Sequence, residues 1–227
     1  MVKRWVRKWS PEVKPGLMPD VEVISVQPSA IEKMTWRLPP SKSHFIRYLA
    51  FAALGHQNIR LSNVEYAGHD VQSMIRCLRQ LGIVIEQVNN DGASVLNVKG
   101  KGHSSFTVPS SVLHCGNSGL SFRILTLICA TMDQPVMLDG DESLRQRPHD
   151  ELINLLDQFK VDTSYGHGKE ALPLLIHGPV TIPESTVEIA VNKTSQALTG
   201  LIIASSQLSH RSTSPSLDNL FLNHTLS

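Results

Sequence analysis

The strongest constraint on the fold is an internal repeat, because a chain that repeats itself is built from one supersecondary unit used more than once. A shift of about 78 residues lays the apolar stripe of segment 70–81 on that of 148–159. The same shift lays 95–100 (VLNVKG) on 173–178 (PLLIHG). We therefore expect an α/β protein (α+β) assembled from repeated units rather than from one continuous sheet.

Each unit follows the order strand, helix, strand, helix, strand, strand, written βαβαββ. In the first unit, apolar residues recur with helical spacing in 43–54 and 70–81, and Gly82 is suited to end the second helix. The strands of this unit are expected at 34–38, 58–62, 83–88 and 94–98. A further strand pattern precedes the unit, at 21–26.

The second unit repeats this order, with helices expected at 118–131 and 148–159. Its strands are expected at 135–139, 161–165 and 172–176. A third unit starts with a strand at 186–191 and a helix at 194–208. The Ser-rich segment after this helix carries no helical stripe, so we expect the third unit to be truncated.

These patterns divide the chain into three parts. A basic arm comes first, a domain of repeated units follows, and an irregular tail ends the sequence. The expected bounds are 1–20 for the arm, 21–208 for the domain and 209–227 for the tail, with repeats at about 34–100, 105–178 and 186–208.

Composition excludes several classes of function. The net charge of +1 gives no broad footprint for nucleic acid. The odd number of cysteines (Cys77, Cys115 and Cys129), without a CxxC pair, indicates reduced thiols and a cytoplasmic location. Ten scattered histidines without an HExxH pattern predict no metal site, and no apolar run is long enough to cross a membrane.

A polar cluster opens the first helix of every unit. Because free N–H groups and the helix dipole favour anions at a helix start, equivalent starts in a repeat could converge on one anionic ligand. Arg47 lies one turn beyond the first cluster, and Arg147 stands directly before helix 148–159. The three clusters are Lys42-Ser43, Asn117-Ser118-Gly119 and Thr194-Ser195-Gln196.

Four motifs resemble one enzyme family. The stretches LPPSKSHFIR, CGNSGLSFR, ESLRQRP and NKTSQALTGLI are similar to the N-terminal half of the 3-phosphoshikimate 1-carboxyvinyltransferase (5-enolpyruvylshikimate-3-phosphate synthase) family. The resemblance implies an enolpyruvyl-transferase-like fold with βαβαββ units around a pseudo-threefold axis. It also implies transfer of the enolpyruvyl group of phosphoenolpyruvate to the 5-hydroxyl of shikimate 3-phosphate, in aromatic amino acid biosynthesis, without a metal or organic cofactor.

The resemblance assigns roles to particular residues. Lys42 would be catalytic and would contact both substrates, and Arg123 would support the site. The residues implied for shikimate 3-phosphate are Lys42, Ser43, Arg47, Thr194, Ser195 and Gln196. Those implied for phosphoenolpyruvate are Lys42, Asn117, Gly119, Arg147 and Gln196.

The chain departs from the family pattern at three positions and in length. Pro40 stands where the family usually has Gly, Leu120 where it has Thr, and Thr194 where it has Ser. The second domain of the family, with its proton-transferring groups, has no counterpart here, so a separate or missing C-terminal half is implied as a partner. The small-molecule substrates are the other expected partners.

Three other interpretations remain open. A truncated relative could be a non-catalytic anion-binding module or an inactive fragment. The related enzyme that acts on UDP-N-acetylglucosamine has a reactive cysteine where this chain has Glu142. An RNA-end-processing enzyme of related fold would need a basic and aromatic surface stripe, which the sequence does not show.

Overall fold

The protein is described here by a computed structural model. The structure describes residues 38–208, except for 66, 91–92, 101, 103–105, 167–171, 184–185 and 190–194. The expected arm, the strand at 21–26, residues 34–37 of the strand at 34–38, and the tail therefore lie outside the described residues.

The first unit contains two helices and a small antiparallel sheet. Its central strand is β3, the last strand of the unit, and both β1 and β2 pair antiparallel with it. The strand predicted at 58–62 is confirmed at its bounds, and both helices start one residue earlier than expected. The elements are α1 (Lys42–Leu54), β1 (Asn58–Ser62), α2 (His69–Gln80), β2 (Val84–Asn90) and β3 (Ala93–Lys99).

Among the described residues, the second unit repeats this order of elements and has two further ones. A short strand, β4, pairs parallel with β5, and the sheet order is β4-β5-β7-β6. A one-turn helix, α4, which the sequence analysis did not predict, precedes α5. The elements are β4 (Leu113–His114), α3 (Gly119–Cys129), β5 (Val136–Asp139), α4 (Glu142–Arg145), α5 (Asp150–Gln158), β6 (Asp162–Tyr165) and β7 (Leu174–His177).

Two different shifts relate the units. The pairs Val84–Lys99 of the first sheet and Asp162–His177 of the second are related by 78 at both partners. In the other ladder, Ile59 pairs with Val98 and Val136 with Ile176. Here the shift is 77 from β1 to β5 but 78 from β3 to β7. One extra residue therefore lies between β5 and α5. We call two positions counterparts when they are related by the shift of 77 up to β5 or by the shift of 78 from α5 onward.

The first helix of the third unit keeps the same spacing. Helices α1, α3 and α6 (Gln196–Leu208) begin at Lys42, Gly119 and Gln196, and the shift that relates β1 to β5 relates each of these starts to the next. These three helices contact one another pairwise, so they form the common centre of the described structure. The pairwise contact of equivalent helices agrees with a pseudo-threefold arrangement.

In each unit, a glycine after the last strand lies close against the end of the first helix, and the two glycines are counterparts. A Cβ on Gly100 would lie 2.4 Å from the carbonyl oxygen of Ala52, and one on Gly178 would lie 2.3 Å from that of Met132. These distances are too short for any side chain, so both strands can pass the helix end only with glycine. The repeat of the contact confirms that the two units share the same packing.

One continuous core fills the space between helices and sheets. The apolar stripes that revealed the repeat are buried in both units. All three cysteines are free, and they are buried within this core although they are far apart in sequence. The stripe residues are Met74, Leu78 and Leu81 in the first unit and Leu152, Leu156 and Phe159 in the second.

The strand expected at 186–191 is wrong for its described part. Residues 186–189 alternate between exposed and buried, as a strand would, but they pair with no strand in the described ranges. Instead, the side chain of Gln158 forms hydrogen bonds with both backbone groups of Glu188. Its Oε1 accepts from Glu188 N at 2.8 Å, and its Nε2 donates to Glu188 O at 2.8 Å. Among the residues that the structure describes, no helix is long and apolar enough to cross a membrane.

Candidate functional site

The three first helices begin in the same way. The carbonyl oxygen of a serine accepts the first helical hydrogen bond in each: Ser41 from Phe45, Ser118 from Phe122 and Ser195 from Thr199, at 2.9–3.0 Å. The side chain of Ser118 also caps its helix, by accepting from the N–H of Ser121. The predicted equivalence of the three helix starts is thus confirmed by their hydrogen bonds.

Side chains from two units converge at the start of α3. A Cβ on Gly119 would lie 2.9 Å from Arg123 Nη1, 3.2 Å from Arg147 Nη1 and 3.4 Å from Gln196 Oε1. The site therefore combines two guanidinium groups, an amide and a helix start around a glycine that leaves the backbone open. The two guanidinium groups and the helix start supply donors that suit an anion with several oxygen atoms.

Arg147 reaches this point from the loop between α4 and α5. Its Nη2 donates to Asn117 Oδ1, which ties the loop to the segment before α3. The N–H of Arg147 donates to Leu144 O at 3.2 Å, so the last turn of α4 fixes the backbone beneath it. The side chain remains exposed, and its guanidinium is open to a ligand.

Arg123 is the buried cation of the site, with 7% of its surface exposed. Its Nη1 donates to Gly119 O and to Gln196 Oε1, and its Nη2 donates to Pro148 O, all at 3.2 Å. Burial lowers the pKa of Arg123, while the charge of Glu151 opposes this change. Arg123 therefore joins α3, α6 and the loop before α5 in one network.

His149 lies beneath this network and is fully enclosed. Its ring packs against Phe122 with 4.8 Å between the ring centres, and its Nε2 lies 3.1 Å from Leu144 O. Since a carbonyl only accepts, Nε2 carries the proton and Nδ1 is an acceptor. Burial, reinforced by the charge of Arg123, lowers the pKa of His149 to about 4. The ring is therefore neutral at neutral pH and clamps the loop that carries Arg147.

The predicted residues of α1 form a second group. Lys42 Nζ lies 2.9 Å from Asp70 Oδ2, and 62% of the lysine side chain is exposed. Arg47 Nη1 donates to Ser43 O at 2.9 Å, while its Nη2 donates to Thr199 Oγ1 at 3.1 Å. The Ser43 side chain is exposed, so its hydroxyl is accessible to a ligand.

Helix α6 connects the two groups. Gln196, at its first residue, meets Arg123, and Thr199, three residues later, meets Arg47. Ser195 directly precedes them and is exposed, whereas Thr194 lies outside the described residues. Of the sequence-predicted residues, Gly119, Arg123, Arg147, Asn117 and Gln196 are brought into one cluster, and Lys42, Ser43 and Arg47 share the neighbouring helix start.

Arg145 does not belong to this site, although it lies in the same RQRP motif. Its Nε donates to Asp139 Oδ1 at 3.0 Å, and Nη2 donates to the other carboxylate oxygen. Although burial opposes ionisation of Asp139, the bonds from Arg145 and from the N–H of Gly140 lower its pKa. This ion pair anchors α4 to the end of β5.

Sequence analysis missed three residues of the site: Asp70, His149 and Thr199. Thr199 could have been found, because it follows Ser195 by one helical turn, as Arg47 follows Ser43. Asp70 is an acid in the first turn of α2, which is so common at helix starts that it carries no specific signal. Nothing in the sequence near His149 shows that its ring is buried.

The departures from the family pattern have different structural settings. Leu120 is 6% exposed and packs in the core, so its side chain does not line the site. Pro40 lies just before Ser41, at the rim of a cleft beside α1. Within the parts of the chain described, no group of three or more His, Cys, Asp or Glu side chains is placed to hold a metal ion.

Comparison with known proteins places this site in context. A family model described as EPSP synthase (3-phosphoshikimate 1-carboxyvinyltransferase) matches residues 27–221. A 3-phosphoshikimate 1-carboxyvinyltransferase of Caldicellulosiruptor saccharolyticus is 33% identical over 67% of this chain and 35% of its own length. One of Clostridium kluyveri is 30% identical over 81% of this chain and 40% of its own length. The chain thus spans roughly 35–40% of the length of these relatives.

Solved structures agree on the fold. An EPSP synthase from Acinetobacter baumannii superposes with a TM-score of 0.66 at 23% identity, over 76% of this chain and 38% of that one. The enolpyruvyl transferase NikO from Streptomyces tendae superposes with a TM-score of 0.51 at 16% identity, over 74% of this chain and 36% of its own. Both likenesses show an enolpyruvyl-transferase-like fold.

Proposed function

This chain belongs to the EPSP synthase (3-phosphoshikimate 1-carboxyvinyltransferase) family, and from that premise we propose that it carries the N-terminal half of an enolpyruvyl transfer site. The reaction joins the enolpyruvyl group of phosphoenolpyruvate to the 5-hydroxyl of shikimate 3-phosphate and releases phosphate. The observation that carries the proposal is the convergence of Gly119, Arg123, Arg147 and Gln196 at one helix start.

In this proposal, phosphoenolpyruvate binds at the start of α3. Arg147 and Asn117 hold its anionic oxygens from the loop side, and Gly119 lets these oxygens approach the backbone. Arg123 holds Gln196 in place from below and adds positive charge. As the phosphate leaves, negative charge develops on it, and fixed cations and N–H groups stabilise that charge.

Shikimate 3-phosphate binds beside it, between the starts of α1 and α6. Ser43, Arg47, Thr194, Ser195 and Gln196 hold this substrate. Lys42 exchanges its contact with Asp70 for contacts to both substrates, and it is the catalytic residue of this half. Because the two substrates are both anionic, such a cationic cleft offsets their mutual repulsion and keeps the reacting groups together.

The proposed domain division is the one that the repeat pattern predicts: residues 21–208 form the N-terminal domain, with 1–20 as an arm and 209–227 as a tail. Free buried thiols support a cytoplasmic location. A C-terminal half supplies the groups that move protons, either in the same protein or as a separate partner.

A specific observation favours a second candidate function. The start of α3 with Arg123 and Arg147 supplies donors for an anion, so the second candidate function is that of a non-catalytic anion-binding module. Phosphate release from phosphoenolpyruvate and shikimate 3-phosphate distinguishes the two. We expect the 227-residue chain alone to release phosphate at background, far below the roughly 1 per second that enzymes reach. Enzyme-like turnover by this chain would show that no second half is needed.

Binding tests the site itself. We expect phosphoenolpyruvate to bind the chain weakly in calorimetry, and Arg147→Lys to weaken it on the order of tenfold, because lysine cannot make the two-pronged contact of arginine. Arg145→Lys is the matched control, since Arg145 lies two residues away and bonds to Asp139. Equal loss in both variants, or none in either, would show that the assigned site is wrong.

The shikimate 3-phosphate subsite has its own variant. Arg47→Ala removes a guanidinium from the start of α1, and we expect it to cost about 1.5–3 kcal/mol of binding, the range for a hydrogen bond to a charged group. Added salt should weaken this binding in the unmodified chain, because exposed charges are screened. Unchanged affinity in Arg47→Ala would remove Arg47 from the subsite.

A further inference from the structure

Thr199 occupies a helix position that holds a phenylalanine in the other two units. Its counterparts at the shift of 77 are Phe122 in α3 and Phe45 in α1, and both of these rings are buried in the core. In all three helices the backbone N–H of this residue makes the first helical hydrogen bond, so the position in the helix is the same. The third unit therefore places a hydroxyl group where the other two units place an aromatic ring.

The hydrogen bonds of Thr199 determine the direction of its hydroxyl group. Its Oγ1 lies 3.0 Å from Ser195 O, one turn earlier in the chain. Because a carbonyl oxygen can only accept, the single hydroxyl hydrogen points to Ser195 O, and the lone pairs of Oγ1 are left to accept. Arg47 Nη2 donates to this oxygen at 3.1 Å. Thr199 therefore acts as an acceptor toward a guanidinium group of another unit.

Two acceptors on different helices orient the guanidinium group of Arg47. Its Nη1 donates to Ser43 O of α1 at 2.9 Å, and its Nη2 donates to Thr199 Oγ1 of α6. Each terminal nitrogen carries two hydrogens, and each of these bonds uses one of them. Within the described residues, one hydrogen therefore remains on each terminal nitrogen. An arginine held at two points in this way presents its remaining donors to an anion in a defined direction.

The helix that carries Thr199 lies close against α3. A Cβ on Gly200 would lie 2.9 Å from Arg123 O and 2.8 Å from Leu127 Cδ1, so a larger residue there would push the two helices apart. Leu201, on the same helix, is buried in the core. Because this packing fixes α6, it also fixes the position of the Thr199 hydroxyl relative to α3.

We propose that Thr199 is a positioning residue for Arg47 at the shikimate 3-phosphate subsite. The assignment depends on the proposed function, in which Arg47 and Ser195 both hold that substrate. Thr199 acts without touching the substrate. It holds the guanidinium group of Arg47 in the orientation that the substrate meets, and its bond to Ser195 O links the start of α1 to the start of α6.

The advantage for binding is that Arg47 is ordered before the substrate arrives. An arginine side chain that rotates freely loses this freedom when an anion holds it, and the loss weakens binding. In this structure Ser43 and Thr199 already restrict the side chain, so less freedom remains to be lost. The role requires the hydroxyl of Thr199 rather than its shape, so the two can be separated by substitution.

The test replaces Thr199 by valine, which keeps the branched shape and loses the acceptor. Thr199→Ser keeps a hydroxyl and is the conservative variant. Thr126→Val is the matched control, because Thr126 is buried in the equivalent helix α3 and its hydroxyl has no hydrogen-bond partner among the described residues. Each variant must unfold in one urea transition, and Thr199→Ala replaces Thr199→Val if the valine variant does not fold.

The first measurement needs no substrate. The NMR order parameter of the Arg47 Nε–H bond reports how firmly the guanidinium group is held, and Arg47→Lys identifies the signal by removing it. We expect an order parameter of about 0.85 in the unmodified chain, in Thr199→Ser and in Thr126→Val, and a value below about 0.6 in Thr199→Val. An unchanged order parameter in Thr199→Val would overturn the proposal.

The second measurement is the affinity for shikimate 3-phosphate in calorimetry. We expect Thr199→Val to weaken binding on the order of tenfold, and Thr199→Ser and Thr126→Val to change it by less than about twofold. In a chain that also carries Arg47→Ala, Thr199→Val should have no further effect, because Thr199 acts only through Arg47.

Two results of the affinity measurement would also overturn the proposal. One is an unchanged affinity in Thr199→Val although Arg47→Ala weakens binding. The other is the same loss from Thr199→Val with and without Arg47, because Thr199 would then act by another route. No binding by the unmodified chain, or equal affinity in Arg47→Ala, would instead contradict the proposed subsite, and the order parameter would still decide whether Thr199 holds Arg47.

Discussion

The first and second units share a backbone plan but place their arginines on different faces of equivalent helices. In α1, Ile46 is buried in the core and Arg47 lies at the surface; in α3, Arg123 is buried and Ile124 is in the core. Arg123 is the counterpart of Ile46, and Ile124 is the counterpart of Arg47. A move of one residue along a helix turns a side chain by about 100°. The two arginines therefore lie near the starts of equivalent helices but point in different directions.

The difference shows how a repeated scaffold builds an asymmetric site. The Arg123 guanidinium is enclosed and donates to three acceptors, whereas Arg47 is half-buried with two acceptors and Lys42 is exposed. A buried cation stabilises the fold only while all its hydrogen-bond partners are present, whereas an exposed cation depends little on its partners because water can replace them. We therefore expect the second unit to be rigid and the first to be adjustable.

The largest expected effect contrasts His149 with its counterpart in the first unit, Val71. Above pH 6.5, His149 is neutral in both the folded and the unfolded protein. Between pH 6.5 and about 4, it gains a proton only in the unfolded protein, because its pKa is lower in the folded one. The free energy of unfolding therefore falls as the pH falls. Over this range we expect a loss of about 3 kcal/mol, measured by urea unfolding at several pH values. His149→Gln, which cannot titrate and keeps an N–H donor, should remove most of it.

The same change from histidine to glutamine at the exposed His44 serves as the matched substitution control. A profile that is identical in wild type and His149→Gln would show that the ring is not held in its neutral form by the fold.

The second prediction sets Arg123→Met against Arg47→Met. The first change removes the guanidinium that donates to Gly119 O, Pro148 O and Gln196 Oε1, and we expect it to lower the free energy of unfolding by about 1.5–3 kcal/mol. The second change removes a half-buried arginine with two acceptors, and we expect a smaller loss. Urea unfolding of both variants at pH 7 measures the difference, and equal values would remove the contrast between an enclosed and a half-buried cation.

The third prediction concerns the space at the start of α3. Gly119→Ala places a methyl group within 2.9 Å of Arg123 Nη1 and 3.2 Å of Arg147 Nη1, so both must shift. We expect phosphoenolpyruvate binding to weaken about fivefold, equivalent to about 1 kcal/mol, with little change in unfolding. Gly68→Ala at the start of α2 is the control, since a Cβ there meets nothing within 4 Å. Unaltered binding in Gly119→Ala would contradict close approach of the ligand to this glycine.

The smallest expected effect is at the ion pair between Lys42 and Asp70. Because the lysine is exposed, Asp70→Asn should change the free energy of unfolding by less than about 1 kcal/mol. It should also strengthen shikimate 3-phosphate binding slightly, since Lys42 no longer has a competing carboxylate. Calorimetry of the variant checks this, and weaker binding would show that Asp70 orients Lys42 rather than competes for it.

The repeat and the helix starts could be predicted because both depend on local spacing. Apolar residues at helical intervals revealed α2 and α5, and polar residues before apolar runs revealed the starts of α1, α3 and α6. The strand expected at 186–191 failed because period-2 burial does not say whether a neighbouring strand or the side chain of Gln158 supplies the hydrogen bonds.

The parts of the site that could not be predicted depend on contacts between distant segments. The bond of Arg47 to Thr199 spans 152 residues, and that of Arg123 to Gln196 spans 73. The burial of His149 results from how α3 packs over the loop that follows α4. The roles of all the predicted site residues toward the substrates stay predictions until binding is measured.

The extra residue between β5 and α5 bears on how the repeated units could have arisen by duplication. If the units arose by duplication of one ancestral βαβαββ segment, the copies diverged in length within the loop that carries α4 and Arg147. Connections tolerate insertions that helices and strands do not. The place where the two units differ in length is therefore also the place where the second unit carries an arginine that the first unit lacks, so the departure from internal symmetry coincides with the chemistry of the site.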